Sequence, residues 1–351
     1  MERVTIVVND IAASPGGGLT VLKEFYEAVK RSRDDINWVF LLSQDYLEET
    51  SNIKVILLPQ VKNHLNRLIF DFFAGWKIIN QFNPSVVFSL QNTVVYHTKG
   101  KKITYVHQPL PFQSYKNFSF LKKEEFGLAC IQHLLGGLIK KSIKTSDLTI
   151  VQTKWMKEAV ENQCNIKTVE QIRPNLPNVY QKASYTATSS FFYPTGNVSY
   201  KNNELLIKAA KQLAKEKIES SILMTIEKGE KTGNITYLGR ISIQEVYNHY
   251  KDSCLVFPSY IETFGYPLVE ARSAGSLILA SDCAFSHELL DGYENAYFFN
   301  PFSEEELFEL MRKVAIGEIQ RRDTYESIHS LDACNSWDQV VNTIMQLAIM
   351  D

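Results

Sequence analysis

Pro258-Ser259-Tyr260-Ile261-Glu262-Thr263-Phe264-Gly265-Tyr266-Pro267-Leu268-Val269-Glu270-Ala271 is the stretch on which the reading of this chain turns. It follows the apolar run Leu255–Phe257 and leads into residues spaced for a helix, so it reads as strand, polar loop with a glycine, then helix. Pro267 suits a first helical turn. A loop that ends at a helix N-terminus offers unpaired backbone N–H groups and the positive end of a dipole, which fits a phosphate. Glu262 in the loop and Glu270 about a turn into the helix are poor phosphate ligands but good acceptors for sugar hydroxyls. Glu270 is also favourable on dipole grounds alone, an explanation that does not reach Glu262. The stretch therefore predicts a site for something that is both phosphate and sugar.

Outward from this stretch, short β-rich runs alternate with longer helical ones. In the first half strands are predicted at Val4–Val8, Trp38–Leu42, Val55–Leu58, Val86–Leu90, Ile103–Val106 and Leu148–Val151, with helices at Leu19–Val29, Leu65–Ile79 and Gly127–Ile143. Leu65, Leu68, Ile69, Phe72, Phe73, Trp76 and Ile79 have the spacing of one buried helical face. In the second half strands fit Phe191–Tyr193, Ile222–Ile226, Ile235–Leu238, Leu255–Phe257, Leu277–Ala280 and Tyr297–Phe299; helices fit Asn203–Lys215, Ile243–Tyr250, Pro267–Ala274 and Glu304–Val314. This alternation marks parallel sheets with crossover helices. With 351 residues the chain suits two domains, each an α/β doubly wound, Rossmann-like unit facing a central cleft. Prolines in Arg173–Asn178 and the Ser/Thr-rich Ala183–Ser190 predict a linker between residues 1–175 and 176–335.

Composition excludes several classes. Apolar residues make up 45% and charged residues 22%, which describes a globular chain with material for two cores. Five scattered cysteines without Cys-x-x-Cys argue against a zinc site or disulfide framework and for a reducing compartment. Met1-Glu2-Arg3 runs straight into an apolar strand, and no apolar run reaches the roughly 18 residues of a membrane span, so a cytoplasmic protein is expected. Residues 1–175 hold 22 Lys/Arg and 16 Asp/Glu, and the remainder 15 and 23. The basic half suits an anionic partner or membrane surface, with compositional scatter as the plain alternative. No Asp-x-Asp, His-x-x-x-His or Gly-x-Ser-x-Gly occurs, so no paired-aspartate metal anchor, zinc helix or nucleophile elbow is expected, and nothing points to nucleic acid.

Further candidates lie just after strands. Ser14-Pro15-Gly16-Gly17-Gly18 lets the backbone approach an anion, or is a plain turn. His107 leaves its strand before Gln108-Pro109-Leu110-Pro111 and is either a sugar-binding or acid/base imidazole or a structural one. Lys201, in Gly196-Asn197-Val198-Ser199-Tyr200-Lys201, sits beside a helix N-terminus, where a lysine makes sense only if a diphosphate lies there or if it is simply solvated. Gly239-Arg240 invites the same comparison.

These residues resemble the retaining family-4 glycosyltransferases of the GT-B fold. Glu262-Thr263-Phe264-Gly265 and Glu270 look like their E-x7-E motif, preceded by Val256-Phe257-Pro258-Ser259 and followed by Ala271 and Ala274-Gly275. The likeness is strongest over about residues 190–300; Pro15–Gly18 and His107 carry it in the first half, and the helix at Ser336-Trp337 resembles the family's last one. The resemblance implies an N-terminal acceptor-binding domain (1–175), a nucleotide-sugar-binding domain (176–335) and a helix (336–351) that crosses back to the first domain. It gives Glu270 the ribose hydroxyls, Glu262 and His107 the donor sugar, and Thr263, Phe264 and Gly265 backbone contacts to sugar and phosphate. Lys201 would neutralise the leaving diphosphate, Gly16, Gly17 and Gly18 would approach the phosphates, and Arg240 would lie near the base. Asn197 stands where the family has an arginine. A UDP- or GDP-sugar donor, a glycan or lipid-linked acceptor, and no metal or other cofactor are implied. Phe112, Tyr115, Phe118, Phe120 and Phe126, interleaved with Lys116, Lys122 and Lys123, suit a peripheral membrane contact or a loop packed on the core. A nucleotide-sugar-binding protein without transferase activity and a GT-B epimerase are the alternatives; the second needs acid/base carboxylates that the sequence does not identify.

Overall fold

The computed structural model describes residues 4–349 apart from 16, 177, 178, 180, 230–232 and 324–335. The chain divides into two compact units, Met1–Asn175 with Cys334–Asp351, and Leu176–Ala333.

In the first unit β1 (Thr5–Asn9), β2 (Asn37–Leu42), β3 (Ile53–Leu57), β4 (Val86–Ser89), β5 (Lys101–Val106), β6 (Leu148–Val151) and β7 (Val169–Gln171) form one parallel sheet in the order β3-β2-β1-β4-β5-β6-β7. Its helices are α1 (Gly17–Lys30), α2 (His64–Ile69), α3 (Gly75–Ile79), α4 (Phe126–Ala129), α5 (Gly136–Lys144) and α6 (Lys154–Cys164). Strand residues alternate between two cores, as their period of two requires. Ile6, Val8, Trp38 and Phe40 face one, Val7, Val39 and Leu41 the other.

The second unit repeats the design. Strands β8 (Ser190–Tyr193), β9 (Ser221–Met224), β10 (Ile235–Tyr237), β11 (Cys254–Phe257), β12 (Ile278–Ser281) and β13 (Ala296–Phe299) are parallel in the order β10-β9-β8-β11-β12-β13. Helices α7 (Asn203–Lys215), α8 (Ile243–Asp252), α9 (Tyr266–Ala274), α10 (Ala284–Leu290) and α11 (Glu304–Ala315) connect them, and α12 (Trp337–Ile349) ends the chain. Helix α12 packs on α1 within the first unit. Trp337 is buried edge-on to Phe25, 5.9 Å between ring centroids, and its indole N–H donates to Glu24 Oε2 at 2.7 Å. Both sheets have a point where strand order reverses, β1/β4 in one and β8/β11 in the other.

Three expectations need correction. Strand β7 and helices α6 and α10 have no counterpart in the predicted elements. The helix predicted at Leu65–Ile79 is interrupted by a π turn, Phe70–Ala74, whose extra residue rotates the following turns. The buried positions become Phe70, Asp71, Gly75 and Ile79, while Leu65 (68%) and Phe73 (72%) of the expected buried stripe are exposed. The Ser/Thr-rich segment is anchored rather than a free linker: Ala183 N–H donates to Ala274 O at 2.8 Å and Tyr185 O–H to Ser253 O at 3.0 Å.

Candidate functional site

In an open parallel sheet, ligands bind beyond the carboxyl ends of the strands at the point of order reversal. In the second unit that point is flanked by the segment after β8, which carries Lys201, and the segment after β11, which carries Glu262. Local hydrogen bonds hold the two together. Asn202 is left-handed (φ 59°), and its amide donates to Pro258 O at 3.3 Å and Pro301 O at 2.7 Å. Tyr260 N–H donates to Tyr200 O at 3.2 Å, and Tyr193 O–H to Lys201 O at 2.7 Å.

The result is an ion pair across the reversal point. Lys201 Nζ lies 2.5 Å from Glu262 Oε1, and Ser259 Oγ donates to the same oxygen at 2.8 Å. Both charged side chains are partly exposed, 25% for Lys201 and 15% for Glu262. An ammonium and a carboxylate held at the rim of a sheet can be separated by a ligand that gives each a better partner.

Beside this pair begins α9. Its N-cap is Gly265 at φ 94°, with no side-chain cap; Pro267 in its first turn has no N–H, and Leu268 N–H donates to Gly265 O at 3.0 Å. A Cβ at Gly265 would meet only ordinary contacts (Leu268 Cδ1 at 3.5 Å), so backbone conformation rather than space requires glycine there. Phe264 is buried and edge-on to Tyr266; Thr263 is half-buried. Glu270 is buried on α9, accepts from Tyr250 O–H at 2.8 Å, and has its carboxyl pushed up by burial against the pull of that hydrogen bond. Asn197 and Arg240 are both exposed in loops that follow β8 and β10, the latter after Gly239 at φ 68°.

In the first unit Gly16 lies outside the described residues, and Gly17 and Gly18 form the exposed first turn of α1 rather than a loop. His107 follows β5. Its backbone N–H donates to Asn92 Oδ1 at 2.7 Å, which turns the Asn92 amide nitrogen toward Nε2 at 3.2 Å. Nε2 is then an acceptor and the proton sits on Nδ1. Burial pushes the imidazole down to about 4, so it is neutral at pH 7.

Sequence reasoning missed a polar cluster at the reversal point of the first sheet. Asp71, placed by the π turn, accepts from Thr93 Oγ1 at 2.8 Å and Gln91 Nε2 at 3.1 Å, and Gln91 Oε1 accepts from Ala12 N–H at 3.2 Å. Burial pushes both Asp10 and Asp71 up to about 7, opposed at Asp10 by Arg67 and at Asp71 first by the Thr93 hydrogen bond and then by Arg67. Nothing in the spacing of these residues announced the cluster. Tyr250 and Ser259 were equally silent; only the adjacency of Ser259 to Glu262 hinted at its part.

The aromatic–basic segment divides by burial. Phe112 and Phe118 are in the core; Tyr115, Phe120 and Phe126 are exposed, and Leu121 is almost wholly so (97%). Among the described residues no cluster of three His, Cys, Asp or Glu is placed to hold a metal, and no helix is long and apolar enough to cross a membrane.

Residues 181–329 match the family described as glycosyl transferases group 1. The O-antigen chain mannosyltransferase RfbU of Salmonella typhimurium is 22% identical over 285 residues, covering 74% of this chain and 76% of that protein. Among solved structures, sucrose-phosphate synthase from Thermosynechococcus elongatus superposes with a TM-score of 0.72 at 14% identity, covering 98% of both chains. Anabaena HepE, solved in complex with UDP and glucose, gives 0.63 at 15% identity over 97% of this chain and 99% of its own. These likenesses identify the two-unit architecture as the GT-B fold.

Proposed function

We propose that this chain, a group 1 glycosyltransferase of the GT-B fold, moves a sugar from a nucleoside-diphosphate sugar to a glycan or lipid-linked glycan, with retention at the anomeric carbon. The observation that carries the reading is the Lys201–Glu262 pair astride the reversal point of the second sheet, beside the left-handed Gly265 that starts α9. On donor binding Lys201 exchanges Glu262 for the diphosphate, and Glu262, still held by Ser259, accepts a hydroxyl of the sugar. The Gly265 backbone takes a remaining phosphate oxygen, Thr263 and Phe264 offer backbone to the sugar, and Glu270 holds the ribose. The bond from the anomeric carbon to the phosphate oxygen breaks, and the acceptor oxygen attacks on the same face. The departing phosphate takes the acceptor's proton. Lys201 then stabilises the charge left on the diphosphate, the step that needs it most. His107, neutral at working pH, orients the sugar rather than attacking it, and Gly16, Gly17 and Gly18 keep the phosphate-facing role. No metal is required in this scheme.

The UDP in the Anabaena complex supports a nucleoside-diphosphate-sugar donor, UDP- or GDP-linked in this proposal, and the O-antigen chain mannosyltransferase of Salmonella supports a role in cell-surface polysaccharide or lipopolysaccharide assembly. A thermal-shift panel of UDP, GDP, ADP and their sugars tests this. A native-state ligand at a hundredfold its Kd adds about 2.7 kcal/mol of stability. A flat response to every nucleotide would overturn the proposal. Asn197, in the region of a family arginine, favours one second reading, a nucleotide-sugar binder without transfer. Slow release of free nucleotide that disappears in Glu262→Ala and Lys201→Ala speaks for transfer; tight binding without turnover speaks for the binder, and interconverted sugars for an epimerase.

The acceptor side of the proposal is a peripheral contact with the cytosolic membrane face. Leu65, Ile69 and Phe73 on the π-turn helix and Phe120, Leu121 and Phe126 ahead of α5 are exposed apolar groups. Residues 51–150 hold 13 Lys/Arg against 4 Asp/Glu, and two of those acids, Asp71 and Glu125, are buried. Lys141 on α5 lies over the ring of Phe72 at 5.6 Å, so the two segments adjoin. Each cation near an anionic surface contributes about 1 kcal/mol. Leu65→Ser with Phe73→Ser is expected to weaken cosedimentation with phosphatidylglycerol vesicles at least about tenfold. Unchanged binding of that double variant would remove this face from the proposal.

A further inference from the structure

We infer that Tyr250 is a positioning residue for nucleotide recognition: its phenol fixes one oxygen of Glu270 so that the rest of the carboxylate is presented to the vicinal hydroxyls of a ribose. The inference rests on the reading of Glu270 as the ribose acceptor.

Tyr250 is wholly buried near the end of α8, and Glu270 lies on the neighbouring α9. The phenol donates to Glu270 Oε2 at 2.8 Å and is the one hydrogen-bond donor to this carboxylate among the described residues. A carboxylate has about four acceptor positions; the phenol fills one, and Glu270 Oε1 is not sealed from solvent, so a ligand can reach it. Two hydroxyls on adjacent carbons supply the donors that the protein withholds.

The phenol itself has little freedom. Ser276 Oγ donates to the Tyr250 carbonyl at 2.5 Å, and the ring stands edge-on to Phe192 with centroids 5.7 Å apart. The start of α8 is set by a capping box between Ser242 and Glu245. The arrangement thus fixes the carboxylate's rotamer before any ligand arrives, and a ligand then has less ordering left to do. Burial raises the Tyr250 phenol well above its usual range, so it remains a donor throughout the pH range of the enzyme.

A plain alternative exists: the Tyr250–Glu270 bond simply joins α8 to α9. The two differ in whether the effect of removing the phenol oxygen depends on the ribose. Isothermal titration of UDP and GDP, and of their 2′,3′-dideoxy analogues, into wild type, Tyr250→Phe and Glu270→Gln separates them. The phenylalanine keeps the ring packing, so the fold is expected to persist. Wild type should prefer the ribonucleotide; Tyr250→Phe should bind it about fivefold more weakly, the value of one hydrogen bond, and bind the dideoxy analogue as wild type does. Its ribonucleotide affinity should also fail at a higher pH on acidification, because losing the phenol raises the Glu270 carboxyl further. Glu270→Gln should lose the preference for ribose. If wild type binds neither nucleotide, or binds both sugar forms equally, the ribose reading of Glu270 falls and this inference with it. If wild type discriminates but Tyr250→Phe loses affinity equally for both forms, or for neither, Tyr250 only joins two helices.

Discussion

Replacing Lys201 by alanine is expected to lower kcat by about 10²–10³-fold while moving the melting temperature by only a degree or two. The magnitude is that of one electrostatic stabiliser removed from a charge that develops in the transition state. The small stability effect follows from the partial exposure of the Lys201–Glu262 pair: water replaces the ammonium, and Ser259 still donates to Glu262. The same ion pair sets opposite signs for product binding. Lys201→Ala should weaken UDP or GDP, because a phosphate partner is gone. Glu262→Ala should leave that affinity unchanged or tighten it, because Lys201 no longer has to be drawn off a carboxylate at 2.5 Å. Both variants should lose transfer. Steady-state kinetics paired with calorimetry of the free nucleotide reads all four quantities. Equal weakening of nucleotide in both variants would mean that the pair acts as one structural unit, and the division of roles between them would have to be abandoned.

What could be read from the residues was whatever depends on local order. The strands Leu148–Val151 and Leu255–Phe257 announce themselves by short β-branched or apolar runs, and Asn203–Lys215 by its helical spacing, so the two doubly wound sheets were legible. Lys201 and Glu262 stood out because each lies in a segment that follows a strand and carries a charge that no local helix dipole needs, whereas Glu270 sits within α9, where the dipole alone could account for it. Other features depend on backbone detail that spacing does not encode. A single extra residue in the π turn at Phe70–Ala74 turned an expected buried stripe outward and brought Asp71 inward. Tyr250 reads as an ordinary apolar position of α8; its function comes from the partner that α9 places opposite it. Strand β7 is three residues long and α10 seven, too short for periodicity to mark.

Asp10→Asn is expected to stabilise the first unit at pH 8 and to do so much less at pH 5. Asp10 is held up to about 7 by burial, with Arg67 pulling the other way. An acid whose folded value lies above its unfolded value of about 3.9 binds more protons folded than unfolded in the interval between. Its neutral form costs the fold nothing, so stability is greatest below about 4, falls as pH rises toward 7, and levels off above. From pH 5 to pH 8 the linkage amounts to about 2–3 kcal/mol for a shift of this size. Asparagine cannot ionise, so the difference between variant and wild type should grow by that amount over the interval. Asp71, present in both proteins, cancels. All four tryptophans (Trp38, Trp76, Trp155 and Trp337) belong to the first unit, so urea unfolding followed by tryptophan fluorescence reports on that unit alone. A difference that does not change with pH would mean that Asp10 is not the strained carboxyl. A difference of opposite sign would mean that attraction to Arg67 outweighs burial. In that case Asp10 is ionised at neutral pH, its charge balanced by Arg67.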